Sequence, residues 1–418
     1  MKDSHKTLAQ RIRMRMKNDI FAGSFFLIAS SVVTSLLGAI FWIVCARLFP
    51  PVEVGLSVTL ISAMTLITTL TTLGFDIDII RFWKEHDKES LVSTTHAISF
   101  LLALFVSSVV FSVLLVTKYS ILQHKVFFSL AFVVLASLWT VFNLNDSVYI
   151  AMKKTSSVLF KQSVFAVLKL LLPFLLLGLG FFSVFMSWGL SALLALVAVL
   201  IFNPVPFAFS VDFRLAKSIL KYSIWNYLSG IVTKGRELML PIMVTYLIGP
   251  ENSAYLFIAF SVIMVFMLVP KAVSKILLRE ISASESSVLS SLKDSLSVVL
   301  FFSISELVVV LLFGKYVLLL YGARYVKNSA FMLYLFSFAG VFASISEVYY
   351  SMLRKQLRLK LLLSCQSFAL ISTMALSFIL FGFGVQYIAL SWLIAEFLAF
   401  TLVMISCYDI NPVKVFSS

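Results

Sequence analysis

Four cations, Lys161, Lys169, Lys234 and Arg236, and four anions, Asp146, Glu237, Glu306 and Glu396, lie inside long apolar runs of this sequence. A charge near the centre of a bilayer costs about 2.5–3.5 kcal/mol or more, so such residues normally face a bundle interior or an aqueous cavity. The chemistry they offer is electrostatic, a polar or ionic route through the membrane. The structural alternative for any one of them is mutual neutralisation that holds helices together. Lys161 and Lys169 are separated by about 80° on a helix and are placed to line one wall. Lys234 and Glu237 stand at the i,i+3 spacing of a helix-surface pair. Arg236 is turned about 200° from Lys234, so the two cannot share one narrow groove. Glu347 falls nearer the end of its run.

Other residues offer less. His5, His86, His96 and His124 form no HExxH and no ligand-like cluster, so no metal site is expected. Cys45, Cys365 and Cys407 have no paired spacing. Asp76 and Asp78, ahead of Arg81, read as solvated residues at a helix end. Asn143, Asn145 and Gln162 suit sugar hydroxyls and neighbouring helices equally well.

The elements that position these charges follow from composition. The chain has 418 residues, 61% of them hydrophobic and 12% charged, with a mean hydropathy of +1.04. Soluble domains are about a quarter charged. A soluble enzyme, a disordered tail and a disulfide scaffold are all excluded by this balance, and an integral membrane protein is expected. About twelve runs reach the ~20 residues a spanning helix needs. They cover 21–46, 54–75, 92–116, 126–151, 157–180, 184–202, 222–248, 252–270, 295–314, 329–352, 359–381 and 385–408. The runs are continuous rather than alternating, which selects helices over barrel strands.

Lys and Arg divide 23 to 6 between the two alternating sets of connections, tails included. That bias places both termini in the cytoplasm and accounts for the net charge of +14 without nucleic acid. The expected layout is a cytoplasmic basic tail (1–20), a first lobe of six spans (21–204), a cytoplasmic linker (205–221), a second lobe of six spans (222–408) and a cytoplasmic tail (409–418). The tail cations Arg11, Arg13, Arg15 and Lys17 are expected against anionic headgroups. No connection is long enough for a soluble catalytic domain, so the chain is not expected to be an enzyme.

The two lobes echo each other at a separation of about 200 residues. Ala46–Glu53 is matched by Thr245–Glu251, Tyr149–Met152 by Tyr349–Met352, Leu177–Gly180 by Phe381–Gly384, and Ser187-Trp188 by Ser391-Trp392. Six spans per lobe insert with the same orientation, so the implied pseudo-two-fold axis runs along the membrane normal, as in secondary transporters. Lys169, Lys234, Arg236 and Glu396 match Thr373, Ser35, Leu37 and Ala192. The charges are therefore additions to one lobe or the other and not part of the shared scaffold.

The run from Leu37-Gly38 through Ala46-Arg47-Leu48-Phe49-Pro50-Pro51-Val52-Glu53-Val54-Gly55 resembles the first-loop pattern of Wzx-type polysaccharide flippases. Leu73–Phe82 is similar to the end of their second helix, and Tyr321-Gly322-x-x-Tyr325 to the stretch before their tenth. These flippases belong to the multidrug/oligosaccharidyl-lipid/polysaccharide superfamily, and the resemblance implies a MATE-like fold of two six-helix lobes. It further implies transport of an undecaprenyl-pyrophosphate-linked oligosaccharide, such as an O-antigen repeat unit, across the bacterial inner membrane. Lys161, Lys169, Lys234, Arg236 and, at the outer mouth, Arg47 are then expected to meet the pyrophosphate. Glu237, Glu306 and Glu396 are expected to couple the cycle to a proton or sodium gradient, with no cofactor. A polysaccharide polymerase and a chain-length regulator are the expected protein partners, beside membrane lipids. The rival readings are a MATE-type exporter of organic cations, a lipid II flippase, and a non-transporting scaffold for glycan assembly.

Overall fold

The computed structural model describes residues 19–116, 125–208, 210–283 and 288–408, and these residues form helices joined by short turns and one extended linker, without a strand. Among the described residues fourteen α-helices follow one another: α1 (Asp19–Leu48), α2 (Pro51–Thr71), α3 (Phe75–Phe82), α4 (Lys88–Val116), α5 (Lys125–Ala151), α6 (Thr155–Leu175) and α7 (Phe181–Phe202), then α8 (Phe213–Leu247), α9 (Pro250–Phe266), α10 (Leu268–Ala283), α11 (Val288–Tyr321), α12 (Ala323–Lys355), α13 (Leu359–Leu380) and α14 (Val385–Tyr408). The basic cluster at Arg11–Lys17 and the tail 409–418 lie outside the described residues. Among the described residues ten helices are long and apolar enough to cross a membrane, and eleven when α9 and α10 count as one span bent by 40°. The expected run at 222–248 lies in α8, whose 35 residues are long enough to cross. Lys234, Arg236 and Glu237 set it apart from its more apolar neighbours.

Two of the expected runs are interrupted. The run 54–75 ends as α2 at Thr71, where Leu73 and Gly74 take φ of 53° and 83° and start the short amphipathic α3. The run 252–270 breaks at Met267. Pro270 explains that break, since its ring lacks an N–H and crowds the carbonyl four residues back. Hydropathy alone does not register either interruption, because apolar residues continue across both.

The element order repeats: α1–α7 and α8–α14 each give a long helix, a broken pair and four further helices, with a 3₁₀ turn before the last. The ends of α5 and α12 match bond for bond. Lys153 and Leu357 have φ of 60° and 56°. Lys154 N–H donates to Tyr149 O at 2.8 Å, and Arg358 N–H to Leu353 O at 3.0 Å. Tyr149 is therefore equivalent to Leu353, and the sequence echo with Tyr349 is out of register by about one helical turn.

The chain divides into two compact units, one of residues 1–41 and 67–224, the other of 42–66 and 225–418. In the first, α5 packs against α3, α4, α6 and α7; in the second, its counterpart α12 packs against α9, α10, α11, α13 and α14. The hydroxyls inside these helices are mostly satisfied by their own backbone, as Ser57 Oγ donates to Glu53 O at 2.7 Å and Ser187 Oγ to Ser183 O at 2.7 Å. Such back-bonding removes the cost of a bare hydroxyl in hydrocarbon. In the second unit α2 and α9 start side by side. A Cβ at Gly55 would overlap the Pro250 carbonyl oxygen, so only glycine fits there.

Candidate substrate cleft

Helix periodicity gathers the polar residues of the second unit onto one cleft. Thr233, Arg236 and Glu237 share a face of α8; Gly340, Glu347 and Tyr350 share a face of α12; Trp392 and Glu396 stand one turn apart on α14. Together with Lys271 of α10 and Gln366 of α13 they border about 720 Å³ of space unfilled by protein, part of it open to the surface. Apolar side chains of α9, among them Phe260, Ile263 and Met264, form the facing wall.

Arg236 is the most constrained charge in the cleft. Its guanidinium donates to Glu396 Oε2 and lies 4.2 Å from the centre of the Trp392 ring. The Arg236 side chain is 16% exposed and that of Glu396 only 4%. An ion pair this buried has paid for its desolvation with its partner's charge, so loss of either member leaves an uncompensated charge. Glu237 and Lys271 form the looser second pair, 3.8 Å apart with side chains 30% and 40% exposed. Glu237 thus meets Lys271 rather than Lys234, which is exposed. Ser229 Oγ donates to Gln366 Oε1 at 2.7 Å and ties α8 to α13 at the cleft edge.

Glu306 on α11 stands behind the cleft wall. It is buried and accepts a hydrogen bond from Ser337 Oγ at 2.7 Å. Gly340 separates it from the cleft, and a Cβ there would come within 3.7 Å of Glu306 Oε2. The glycine leaves only a thin partition between the carboxyl and the cleft.

The remaining expected residues lie elsewhere. Lys161 is fully buried in the first unit, with Nζ 2.7 Å from Asp146 Oδ1, 3.9 Å from the centre of the Phe142 ring, and bonded to the Phe142 carbonyl oxygen. Gln162 Nε2 donates to Asp146 Oδ2 at 2.8 Å. These contacts make the pair a strut between α5 and α6. Lys169 is also buried, its ammonium 4.2 Å from the centre of the Trp188 ring, 4.8 Å from that of Phe165 and 5.0 Å from that of Phe41. Arg47 is exposed and donates to the Leu319 and Leu320 carbonyls at the end of α11, the latter at 2.8 Å. A cation there complements the negative end of the helix dipole.

Lys271, Glu347, Tyr350, Gln366 and Trp392 belong to the cleft but are not among the candidate site residues expected from sequence. Lys271 falls in what reads as a loop, and Trp392 reads only as a marker of the repeat. Its counterpart Trp188, 204 residues earlier, offers the signal that could have found it. Each tryptophan carries a cation 4.2 Å from its ring centre, Lys169 in one unit and Arg236 in the other. Among the described residues no group of three or more His, Cys, Asp or Glu side chains is arranged to hold a metal ion.

Residues 20–221 match the family described as polysaccharide biosynthesis protein. No curated protein sequence matches the chain. Among solved structures, the inward-facing conformation of a multidrug resistance MATE family transporter of the MOP superfamily superposes with a TM-score of 0.77 at 12% identity, over 94% of this chain and 99% of that one. The lipid II flippase MurJ in an inward closed conformation gives 0.76 at 16% identity, over 94% and 90%. Identities this low carry the fold alone.

Proposed function

We propose, on the premise that the chain is a MATE-like flippase of the multidrug/oligosaccharidyl-lipid/polysaccharide superfamily and a transporter rather than an enzyme, that it moves a glycan linked to undecaprenyl pyrophosphate from the cytoplasmic to the periplasmic leaflet. The observation that carries this reading is the cleft of the second unit, where Arg236 and Lys271 stand among carboxylates, an amide and the Trp392 and Tyr350 side chains. A guanidinium offers the planar fork that pyrophosphate oxygens accept. The carboxylates and the Gln366 carbonyl accept hydrogen bonds from sugar hydroxyls, for which an exporter of purely apolar cargo has no use. The lipid tail stays in the bilayer while the headgroup crosses.

In this reading Arg236 holds the pyrophosphate, Lys161 with Asp146 braces the first unit, and Lys169 is held among the rings of Phe41, Phe165 and Trp188. Glu306, Glu237 and Glu396 couple the cycle to a proton or sodium gradient, because protonation of any of them shifts the balance between alternating states. The protein then sits in the inner membrane of a bacterium with both termini in the cytoplasm, and delivers its cargo to a polysaccharide polymerase and chain-length regulator.

The test is the sidedness of lipid-linked glycan in cells lacking the protein. The reading expects surface polysaccharide to disappear and undecaprenyl-linked units to build up on the cytoplasmic face. One observation favours a second reading: Glu237, Glu347 and Glu396 outnumber the cleft's two cations, as suits an exporter of organic cations. Unchanged glycan sidedness together with hypersensitivity to cationic compounds would select that reading instead.

A further inference from the structure

Helix α10 carries Lys271, Lys275 and Arg279 at intervals of four residues, which places them on one face, one turn apart. Lys271 lines the cleft. Lys275 and Arg279 are exposed. The opposite face anchors the helix: Leu277 and Ile281 are fully buried in one cluster with Val299 and Val348, and Ser351 Oγ of α12 donates to the Ser274 carbonyl at 2.9 Å. The three cations therefore form a ladder that begins inside the cleft and runs outward for about 12 Å along the helix axis.

Positive charge at this level of a membrane protein has an ordinary topological origin. The repeat controls for it. The counterpart of α10 in the first half is α3, which has the same place after the broken second helix and carries Asp76, Asp78 and Arg81. The topological bias acts on both helices, yet only the one leading into the cleft is a cationic ladder.

We propose that α10 is the entry ramp for the diphosphate of the lipid-linked substrate, which meets Arg279 and Lys275 first, passes to Lys271 and is delivered to Arg236. The proposal rests on the flippase reading above. Rungs about 5–6 Å apart let a diphosphate bridge two of them, so that it need not leave one before it meets the next. The Lys271–Glu237 pair, at 3.8 Å and partly exposed, is weak enough to open for it. The charged and titratable groups the arriving diphosphate then faces are Arg236 and Glu237 on α8, Glu347 and Tyr350 on α12, and Glu396 on α14.

The experiment uses the full chain in nanodiscs of phosphatidylcholine, with geranylgeranyl diphosphate as the probe. The K275Q/R279Q variant is expected to bind about tenfold more weakly than the wild type, and K275R/R279K to bind like it. Both substitutions are on the exposed face, and thermal unfolding of the variants checks that the fold is kept. Equal binding by K275Q/R279Q and the wild type overturns the proposal while the flippase reading stands. A difference that emerges only when phosphatidylglycerol is added also overturns it, since the cations would then serve bilayer headgroups. A wild-type protein that does not bind the probe overturns the flippase reading, and the ramp with it.

Discussion

Arg236 and Glu396 separate two duties that a buried ion pair can have, holding the fold and handling the substrate. Replacement of Arg236 by Met alone strands the Glu396 carboxylate and is expected to cost about 3–5 kcal/mol of stability. Replacement of both by Met removes the stranded charge and is expected to return most of that stability while leaving transport absent. Thermal unfolding and transport measured on the same preparations check this. A double variant that still transports would show the pair to be structural. Glu306 makes the complementary prediction. Its bond from Ser337 is kept by E306Q, so folding should survive while the acceleration of transport by an imposed proton gradient disappears. An unaltered response to the gradient in E306Q would remove Glu306 from the coupling scheme. The charges themselves were plain in the sequence because a charge inside an apolar run is conspicuous. Their partners were not. Helical spacing admitted Lys234 beside Glu237, whereas Lys271, from a segment that reads as a loop, holds that carboxylate at 3.8 Å.

At the scale of elements, the broken second helix of the second half is what brings Lys271 to the cleft. Pro270 lies just past the break, and P270A is expected to straighten α9 into α10, withdraw Lys271 from Glu237 and lower transport several-fold with little loss of stability. Accessibility of a cysteine placed at position 271 to a water-soluble thiol reagent, compared with and without P270A, checks the displacement; unchanged accessibility would detach the break from the cleft. Gly55 sets a firmer limit. G55A places a Cβ against the Pro250 carbonyl oxygen, and overpacking of this kind costs about 1–3 kcal/mol; an unchanged melting temperature would contradict the close approach. Helix existence was legible in the sequence from run length and hydropathy. The two breaks were not, since each is made by backbone features, Leu73-Gly74 and Pro270, set among residues that remain apolar.

For the molecule as a whole, the repeat was legible from a few short echoes, and the backbone carries it further than side chains do. The ends of α5 and α12 share their hydrogen-bond pattern although Lys153 matches Leu357. On that common scaffold the two units hold different chemistry. The first buries its lysines, one against Asp146 and one among aromatic rings; the second opens its Arg236 pair to a cleft. Sequence reasoning expected all four cations to meet the substrate from their depth in the apolar runs, although helical angle already kept Lys234 and Arg236 off one narrow groove. Burial separates Lys161 and Lys169, enclosed in the first unit, from Arg236, which borders the cleft, and from Lys234, which is exposed. The central claim is that this cleft carries a diphosphate headgroup across the bilayer. The most direct test reconstitutes the purified chain into vesicles and follows leaflet exchange of a fluorescent sugar on undecaprenyl diphosphate. The account predicts exchange well above that of protein-free vesicles for the wild type and exchange at the protein-free level for R236M/E396M. Wild-type exchange no faster than protein-free vesicles, or equal exchange by the double variant, would contradict it.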